Sequence, residues 1–168
     1  MTTHSMETSM SKKVKMESYC VADAVSFGLS EIESLRDELS DWYDNMKGNT
    51  LQESIEALSQ GEYMTVPSCV EEGLDASDDT ENVGCVGHLR FEVRAMQKRR
   101  MSRRARRDLA CAVLNGALDA IRGALEESTA GDELDPYEET RDEIESFCDE
   151  LENAIDAFDN AEFPGMYG

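Results

Sequence analysis

The strongest candidate for chemistry in this sequence is a basic segment, KRRMSRRARRD, at residues 98–108. The whole chain has a formal net charge of −21 at pH 7, so a concentration of positive charge at one place needs a cause. Arginine clusters contact the phosphates of nucleic acids with salt-dependent, sequence-independent affinity. The side chains available for such contacts are Lys98, Arg99, Arg100, Arg103, Arg104, Arg106 and Arg107.

Three interpretations of the basic segment stay open. It binds nucleic acid, it binds an acidic protein partner, or it pairs with the chain's own acids, such as those of residues 71–81 or of the last helix. Local helix physics does not explain the arginines, because positive charge at a helix start is unfavourable by about 0.3–1 kcal/mol per charge. No aromatic residues are interleaved to stack bases, which weakens the nucleic-acid hypothesis. We expect internal pairing or a solvated face.

Candidate metal-binding and catalytic residues are sparse. Cys85 and His88 have a C-x-x-H spacing with Cys69 upstream, but a zinc site requires two such pairs. The carboxylates of residues 75–81 lack the alternating order of a calcium loop. The other histidine of the sequence is His4, far from His88 along the chain. The sequence contains no nucleophile-elbow, zinc-protease or phosphate-loop motif. The sequence predicts a protein that is not an enzyme, with no catalytic residue, cofactor, metal or small-molecule substrate.

Composition narrows the class of protein. The chain has 168 residues, 37 of them acidic and 16 basic, which suits one small acidic domain with tails. Five widely spaced cysteines do not form a secreted disulfide framework. No apolar run approaches the roughly 18–20 residues that span a bilayer, and the first residues lack a signal-peptide core. We therefore expect a cytoplasmic protein that does not contact a membrane.

Hydrophobic periodicity and capping motifs predict four helices. Residues 30–48 begin with a Ser30–Glu33 capping box, and residues 50–61 repeat this arrangement on a smaller scale. A third apolar stripe starts at residue 102, and a fourth helix begins at Asp135 and Pro136. The apolar stripes contain Ile32, Leu35, Leu39, Trp42 and Met46; Leu51, Ile55 and Leu58; Leu109, Val113, Leu114, Ala117, Leu118, Ile121 and Leu125; and Tyr137, Ile144, Leu151 and Phe158. The last set recurs every seven residues, a pattern typical of coiled coils.

These elements predict a mostly α fold, an antiparallel helical bundle of about four helices with a short irregular or β-hairpin insert. HLRFEVRAM alternates like a strand, and YMTVP is its predicted hairpin partner. Gly116 and Gly123 are expected to allow close approach of a neighbouring helix or of a second copy. The predicted organisation is a flexible tail (1–28), a helical hairpin (29–61), an irregular acidic insert (62–100), a C-terminal helical hairpin (101–162) and a tail (163–168).

The sequences of the predicted helices resemble those of a group of small helical proteins encoded by tailed bacteriophages and prophages. The stretches that carry this resemblance are LRDELSDWYDNM, LQESIEALSQG, SRRARRDLACAVLNGALDAI and AIDAFDNAEFPGMYG, within residues 30–60 and 100–168. The resemblance implies a setting in the host-cell cytoplasm or the virion. It carries over no site residue and implies no chemistry.

We therefore expect a non-enzymatic, phage-type interaction or assembly protein that binds a protein partner or itself. One alternative is a small nucleic-acid-binding accessory protein that uses the basic segment, from Arg99 to Arg107. Another is an acidic inhibitor that imitates the charge of duplex DNA and occupies a host enzyme.

Overall fold

The computed structural model describes residues 14–46, 49–71, 84–95, 101–129 and 135–163. The elements in chain order are β1 (Met16–Cys20), α1 (Val21–Met46), α2 (Asn49–Leu58), a 3₁₀ helix (Ser59–Tyr63), α3 (Ser68–Glu71), β2 (Arg90–Arg94), α4 (Arg103–Thr129) and α5 (Arg141–Asn160). The prediction of a mostly α-helical protein is confirmed. About four helices were expected, whereas the described ranges contain five, because the four-residue helix α3 has no periodic pattern to reveal it.

The boundary predicted between a flexible tail at residues 1–28 and a first helix is wrong. Met16–Cys20 form a strand, and α1 begins at Val21 instead of at the Ser30 capping box. The reason is tertiary packing: Val21, Ala24 and Val25 are buried in the core, so the helix continues through the cap signal. Residues 1–13 of the predicted tail lie outside the described part of the chain.

The small sheet also differs from the expected hairpin. β2 confirms the strand pattern of HLRFEVRAM, but its antiparallel partner is β1, with Met16 opposite Arg94 and Cys20 opposite Arg90. Residues 64–67 of the YMTVP segment form no strand. Alternation identifies a strand without identifying its partner, because pairing depends on contacts between residues distant in sequence.

Helices α1 and α4 are neighbours that run in opposite directions. Arg103 at the start of α4 lies beside Glu38, late in α1. Farther along α4, Leu114 packs against Gly28, near the beginning of α1. A Cβ at Gly28 would lie 2.5 Å from Leu114 Cγ, so the close contact depends on glycine.

The two glycines that were expected to admit a helix do not do so. A Cβ at Gly116 would collide with the ring of Phe91, so the element that Gly116 admits is strand β2. A Cβ at Gly123 would have no heavy atom of the described residues within 4 Å. The close helix–helix contact that requires glycine is at Gly28, against Leu114. Gly28 is not part of a regular glycine spacing such as that of Gly116 and Gly123.

Helices α4 and α5 form a second oppositely directed pair, and α2 packs against both α1 and α5. Three positions of the predicted heptad pattern, Ile144, Leu151 and Phe158, are fully buried in α5, whereas its first position, Tyr137, lies in the turn before the helix. The predicted beginning of this helix is wrong. Asp135 Oδ1 accepts a hydrogen bond from Tyr137 N at 3.0 Å, but this closes a turn over residues 136–140.

Candidate functional site

The basic segment continues into the first turns of α4. Ser102 Oγ accepts a hydrogen bond from Ala105 N at 3.1 Å and thereby caps the helix start. The first two turns then direct four arginines to different sides of the helix. Arg103, Arg106 and Arg107 point towards other helices, while Arg104 is exposed. Lys98, Arg99 and Arg100 lie outside the described residues.

Two arginines of the segment contact α1. Arg103 Nε donates to Glu38 Oε2 at 2.9 Å, and its guanidinium lies 5.3 Å from the ring centre of Trp42. Arg106 donates to Glu31 Oε1 at 2.5 Å and to Glu38 Oε1 at 2.7 Å. Glu38 therefore accepts from two arginines, one on each carboxylate oxygen, which is a charge-assisted network instead of an isolated surface pair.

The ionisation of this network follows from its contacts. Partial burial by itself would raise the pKa of Glu38, but hydrogen bonds from Arg106 and Arg103 outweigh burial and lower it below its ordinary value. Burial would likewise lower the pKa of Arg106, and its bonds to Glu38 and Glu31 raise it instead. Both partners are thus held in their charged forms.

Arg107 is the most buried of the four arginines of the segment that the structure describes, with only 8% of its surface exposed. Its Nη1 donates to the backbone carbonyls of Ala161 at 2.6 Å and of Asp159 at 3.1 Å. Its Nη2 donates to Asp108 Oδ1 at 2.8 Å. The carbonyls belong to the C-terminal end of α5, where the helix dipole is negative, so Arg107 supplies the positive charge that this end favours.

Arg104 is the exception. It is exposed, and no hydrogen bond or ion pair involves it within the described residues. It borders an open cleft between the start of α4 and the end of α5, which also contains Asp159 and Glu162. The cleft therefore carries mixed charge and is not a uniformly positive surface.

The acids that pair with Arg103 and Arg106 lie in α1, and pairing with the acids of residues 72–83 stays a prediction. Residues 72–83 of the acidic insert lie outside the described part of the chain. Arg103 and Arg106 pair with α1, and the last helix contributes backbone carbonyls to Arg107 instead of carboxylates. A signal existed in the sequence: Glu31 and Glu38 are seven residues apart, on one side of a helix.

Helix α5 presents the most regular charged surface in the described residues. Six exposed carboxylates follow alternating spacings of three and four residues, which places them along one side of the helix, beside the buried face. We call this set the α5 acidic stripe: Asp142, Glu145, Asp149, Glu152, Asp156 and Asp159. The 17 residue steps from Asp142 to Asp159 span about 25 Å at about 1.5 Å per residue.

Only part of the α5 acidic stripe has a basic neighbour. Arg122 Nη2 lies 3.0 Å from Glu152 and 3.7 Å from Asp149, and its hydrogen bond lowers the pKa of Glu152. Glu145 lies 3.8 Å from Arg141. The other three members, Asp142, Asp156 and Asp159, make no ion pair with any described residue.

Among the described residues the candidate metal ligands do not form a cluster, and Cys111 and Cys148 are buried. Cys69, Cys85 and His88 do not meet there with a further ligand, since no group of three potential ligands is close enough to hold a metal ion. Burial raises the pKa of the Cys111 thiol to about 12 and that of Cys148 to about 11. These thiols stay protonated and are poor nucleophiles.

Comparison of the chain with protein-family models, with curated proteins and with solved structures finds no match. Among the helices in the described ranges, none combines the length and apolar character needed to cross a bilayer.

Proposed function

We propose that this protein is a non-enzymatic interaction protein that binds a positively charged surface of a partner protein through the α5 acidic stripe. The observation that carries the proposal is the stripe itself. It contains six exposed carboxylates on one side of a helix whose other side is buried in the core. Half of them have no ion-pair partner among the described residues.

Folding does not require this arrangement. Asp156 and Asp159 lie in the last turn of α5, where the helix dipole makes negative charge unfavourable, and no basic residue lies in that turn. Solubility needs acidic residues but not a continuous row of them. A row that costs stability and remains exposed is therefore best explained by a partner.

The spacing of the stripe indicates the chemistry of that partner. Six charges over about 25 Å give one negative charge per about 5 Å, compared with one phosphate per about 3.4 Å along a DNA strand. The stripe is thus a regular, less dense line of negative charge. A surface of spaced lysines and arginines, such as the groove of a DNA-binding protein, would complement it.

The scaffold suits such a role. We infer that the four longer helices form an antiparallel bundle, in line with the opposite directions of the α1–α4 and α4–α5 pairs. The seam of α5 is fully buried at Ile144, Leu151 and Phe158, so the helix is held firmly. A line of charge on a rigid helix loses little entropy when it binds.

The alternative of nucleic-acid binding through the basic segment receives less support. Arg103, Arg106 and Arg107 already donate to groups of the chain itself. Of the four arginines of the basic segment that the structure describes, only Arg104 remains to contact phosphates. If the chain is phage-encoded, as its resemblance implies, the partner would be a bacterial or phage protein.

A pull-down of the tagged full chain from bacterial lysate, with and without nuclease, tests the proposal. The stripe variant carries Asp142→Asn, Asp156→Asn and Asp159→Asn. The matched control carries Asp41→Asn, Asp44→Asn and Glu53→Gln, three exposed acids on α1 and α2. Both variants have the same net charge, so the comparison isolates position from charge.

We expect a discrete protein that survives nuclease, is retained by the control and is lost with the stripe variant. Its affinity should fall as salt rises, because exposed charges are screened. Equal retention by both variants would exclude the stripe. Co-purification of nucleic acid alone would favour the basic segment instead.

A further inference from the structure

No described strand pairs with the outer edge of β1 in the two-stranded sheet. Ala95 N donates to Lys15 O and Val21 N donates to Leu89 O, both at 2.8 Å. In an antiparallel pair, residues alternate between hydrogen-bonded and non-hydrogen-bonded positions. Residues 15, 17, 19 and 21 therefore direct their backbone groups towards β2. The N–H and C=O groups of Met16 and Ser18 point away from it, along the outer edge of β1.

The two edges of this sheet differ in charge. On β2 the residues with outward backbone groups are Arg90, Glu92 and Arg94, all charged and exposed. Charged side chains on an edge strand discourage pairing with another strand. On β1 the corresponding residues are Met16, Ser18 and Cys20, which are uncharged. Of the two edges, that of β1 is therefore the one suited to pairing with another strand.

Exposed apolar side chains concentrate at the same edge. Three large hydrophobic residues are exposed in the described part of the chain, and two of them are Val14, at 54%, and Met16, at 47%. Their alternating positions place both on the side of the sheet that carries Arg94. Apolar groups next to unpaired backbone groups are typical of a strand that adds to another sheet.

The sequence of β1 is complementary to itself. We propose that the edge of β1 pairs antiparallel with β1 of a second copy of this chain, with Met16 opposite Met16 of that copy. In this register Lys15 of each copy lies opposite Glu17 of the other, and Val14 lies opposite Ser18. The Lys15–Glu17 positions are non-hydrogen-bonded ones, where opposite side chains approach most closely. Glu17 already accepts a hydrogen bond from Tyr19 on that face.

The resulting dimer has two-fold symmetry and a four-stranded sheet. Its core is one short strand from each copy, so the contact belongs to the small, weak class of interfaces, below about 1,200 Å² of total buried area. Self-association should depend on concentration. The inference is independent of the proposed function, because the α5 acidic stripe contributes no residue to this edge.

Sedimentation velocity of the full chain, from about 1 μM to about 1 mM, tests the proposal. The test variant is Ser18→Pro, which removes an outward N–H that β2 does not use. The matched control is Glu92→Pro, at the residue opposite Ser18, which removes an outward N–H from the other edge. Far-UV circular dichroism establishes that each variant folds.

We expect the wild type to move from monomer to dimer as concentration rises. Ser18→Pro should raise the dimer dissociation constant at least about tenfold, and Glu92→Pro should leave it within about twofold. A wild type that is monomeric throughout would overturn the proposal. So would a Glu92→Pro variant weakened as much as Ser18→Pro.

A charge exchange tests the register and does not depend on proline. Lys15→Glu places like charges opposite each other twice and should weaken the dimer. Adding Glu17→Lys restores opposite charges in the same positions and should recover at least half of the loss. A double variant that associates no better than Lys15→Glu alone would rule out this register.

Discussion

The start of α4 and the outer side of α5 are both charged against the preference of their own helix, yet the structure treats them differently. Arginines occupy the positive end of α4, and aspartates occupy the negative end of α5. Arg103 and Arg106 are compensated by carboxylates of α1, and Arg107 by the carbonyls that end α5. The carboxylates of Asp156 and Asp159 make no ion pair with any described residue, although Arg107 binds the carbonyls at the same helix end.

The comparison distinguishes arginines whose charge is neutralised by contacts within the molecule from carboxylates whose charge is exposed to a partner. The arginine side chains lie between helices and connect α4 to two neighbours, so their positive charge is used within the molecule. The α5 acidic stripe faces outward, and among the described residues Arg122 and Arg141 are the two that form ion pairs with it. Removing charge from the two regions should therefore change stability in opposite directions.

The largest effect is expected from reversing two of the inward arginines. Arg103→Glu with Arg107→Glu places one carboxylate beside Glu38 and another among the carbonyls at the end of α5. We expect the free energy of unfolding to fall by more than about 4 kcal/mol, enough to unfold a marginal domain. Urea denaturation followed by circular dichroism measures it. The control is Arg90→Glu with Arg104→Glu, two exposed arginines, which changes net charge equally and should cost far less.

A double-mutant cycle compares an ion pair from each region. For Arg106 and Glu38, both partly buried, we expect a coupling free energy of about 1 kcal/mol. For Arg122 and Glu152, both largely exposed, we expect a clearly smaller coupling free energy, because water screens exposed ion pairs. Each cycle needs the two single alanine variants and the double variant in urea denaturation. Equal couplings would remove the distinction between the two regions.

Glu38 also makes stability depend on pH. Its pKa in the folded chain lies below the ordinary value of 4.5, despite the opposing effect of burial. Its contribution is therefore present above about pH 4.5 and is lost as pH falls through the lowered pKa. The difference in unfolding free energy between the wild type and Glu38→Gln should shrink as pH falls below 4.5. In an Arg103→Gln, Arg106→Gln background only burial remains, which raises the pKa of Glu38, so this loss of stability at low pH should be absent.

The smallest effect concerns the end of the α5 acidic stripe. Asp156→Asn with Asp159→Asn removes negative charge from the last turn and should raise the free energy of unfolding by about 0.5–1 kcal/mol. Asp142→Asn, in the first turn of the same stripe, should lower it by about 0.3–0.5 kcal/mol. Thermal or urea unfolding can resolve the sign of each change in the free energy of unfolding. A loss of stability from the first variant would mean that these aspartates serve the fold and not a partner.

Local pattern was a good guide to the interior of the helices and a poor one to their ends. Periodicity identified the buried residues of α4 and α5, because a helix buries every third or fourth residue whatever its neighbours are. Capping motifs misplaced the starts of α1 and α5. Ser30 lies inside α1 because the apolar residues before it are buried, and packing outweighs a cap worth about 1 kcal/mol.

The candidate site shows the same limit. The basic segment and its conflict with the helix dipole are visible in the sequence, and so are the acids of α5. The partners of the arginines cannot be identified from the sequence, because Glu31 and Glu38 precede Arg103 and Arg106 by more than 60 residues and α1 contains several other acids. The identity of strand β1, read as part of a tail, likewise depended on its distant partner.

The sequence by itself determined which helix faces are apolar, where charge accumulates and that the fold is mostly helical. These properties depend on residue type and on the 3.6-residue repeat, which act within one element. Only the tertiary structure decided that Arg107 closes the end of α5, that Gly28 admits Leu114 and that β1 pairs with β2. Each of these depends on which distant segments meet, and the geometry of packing, not local propensity, selects them.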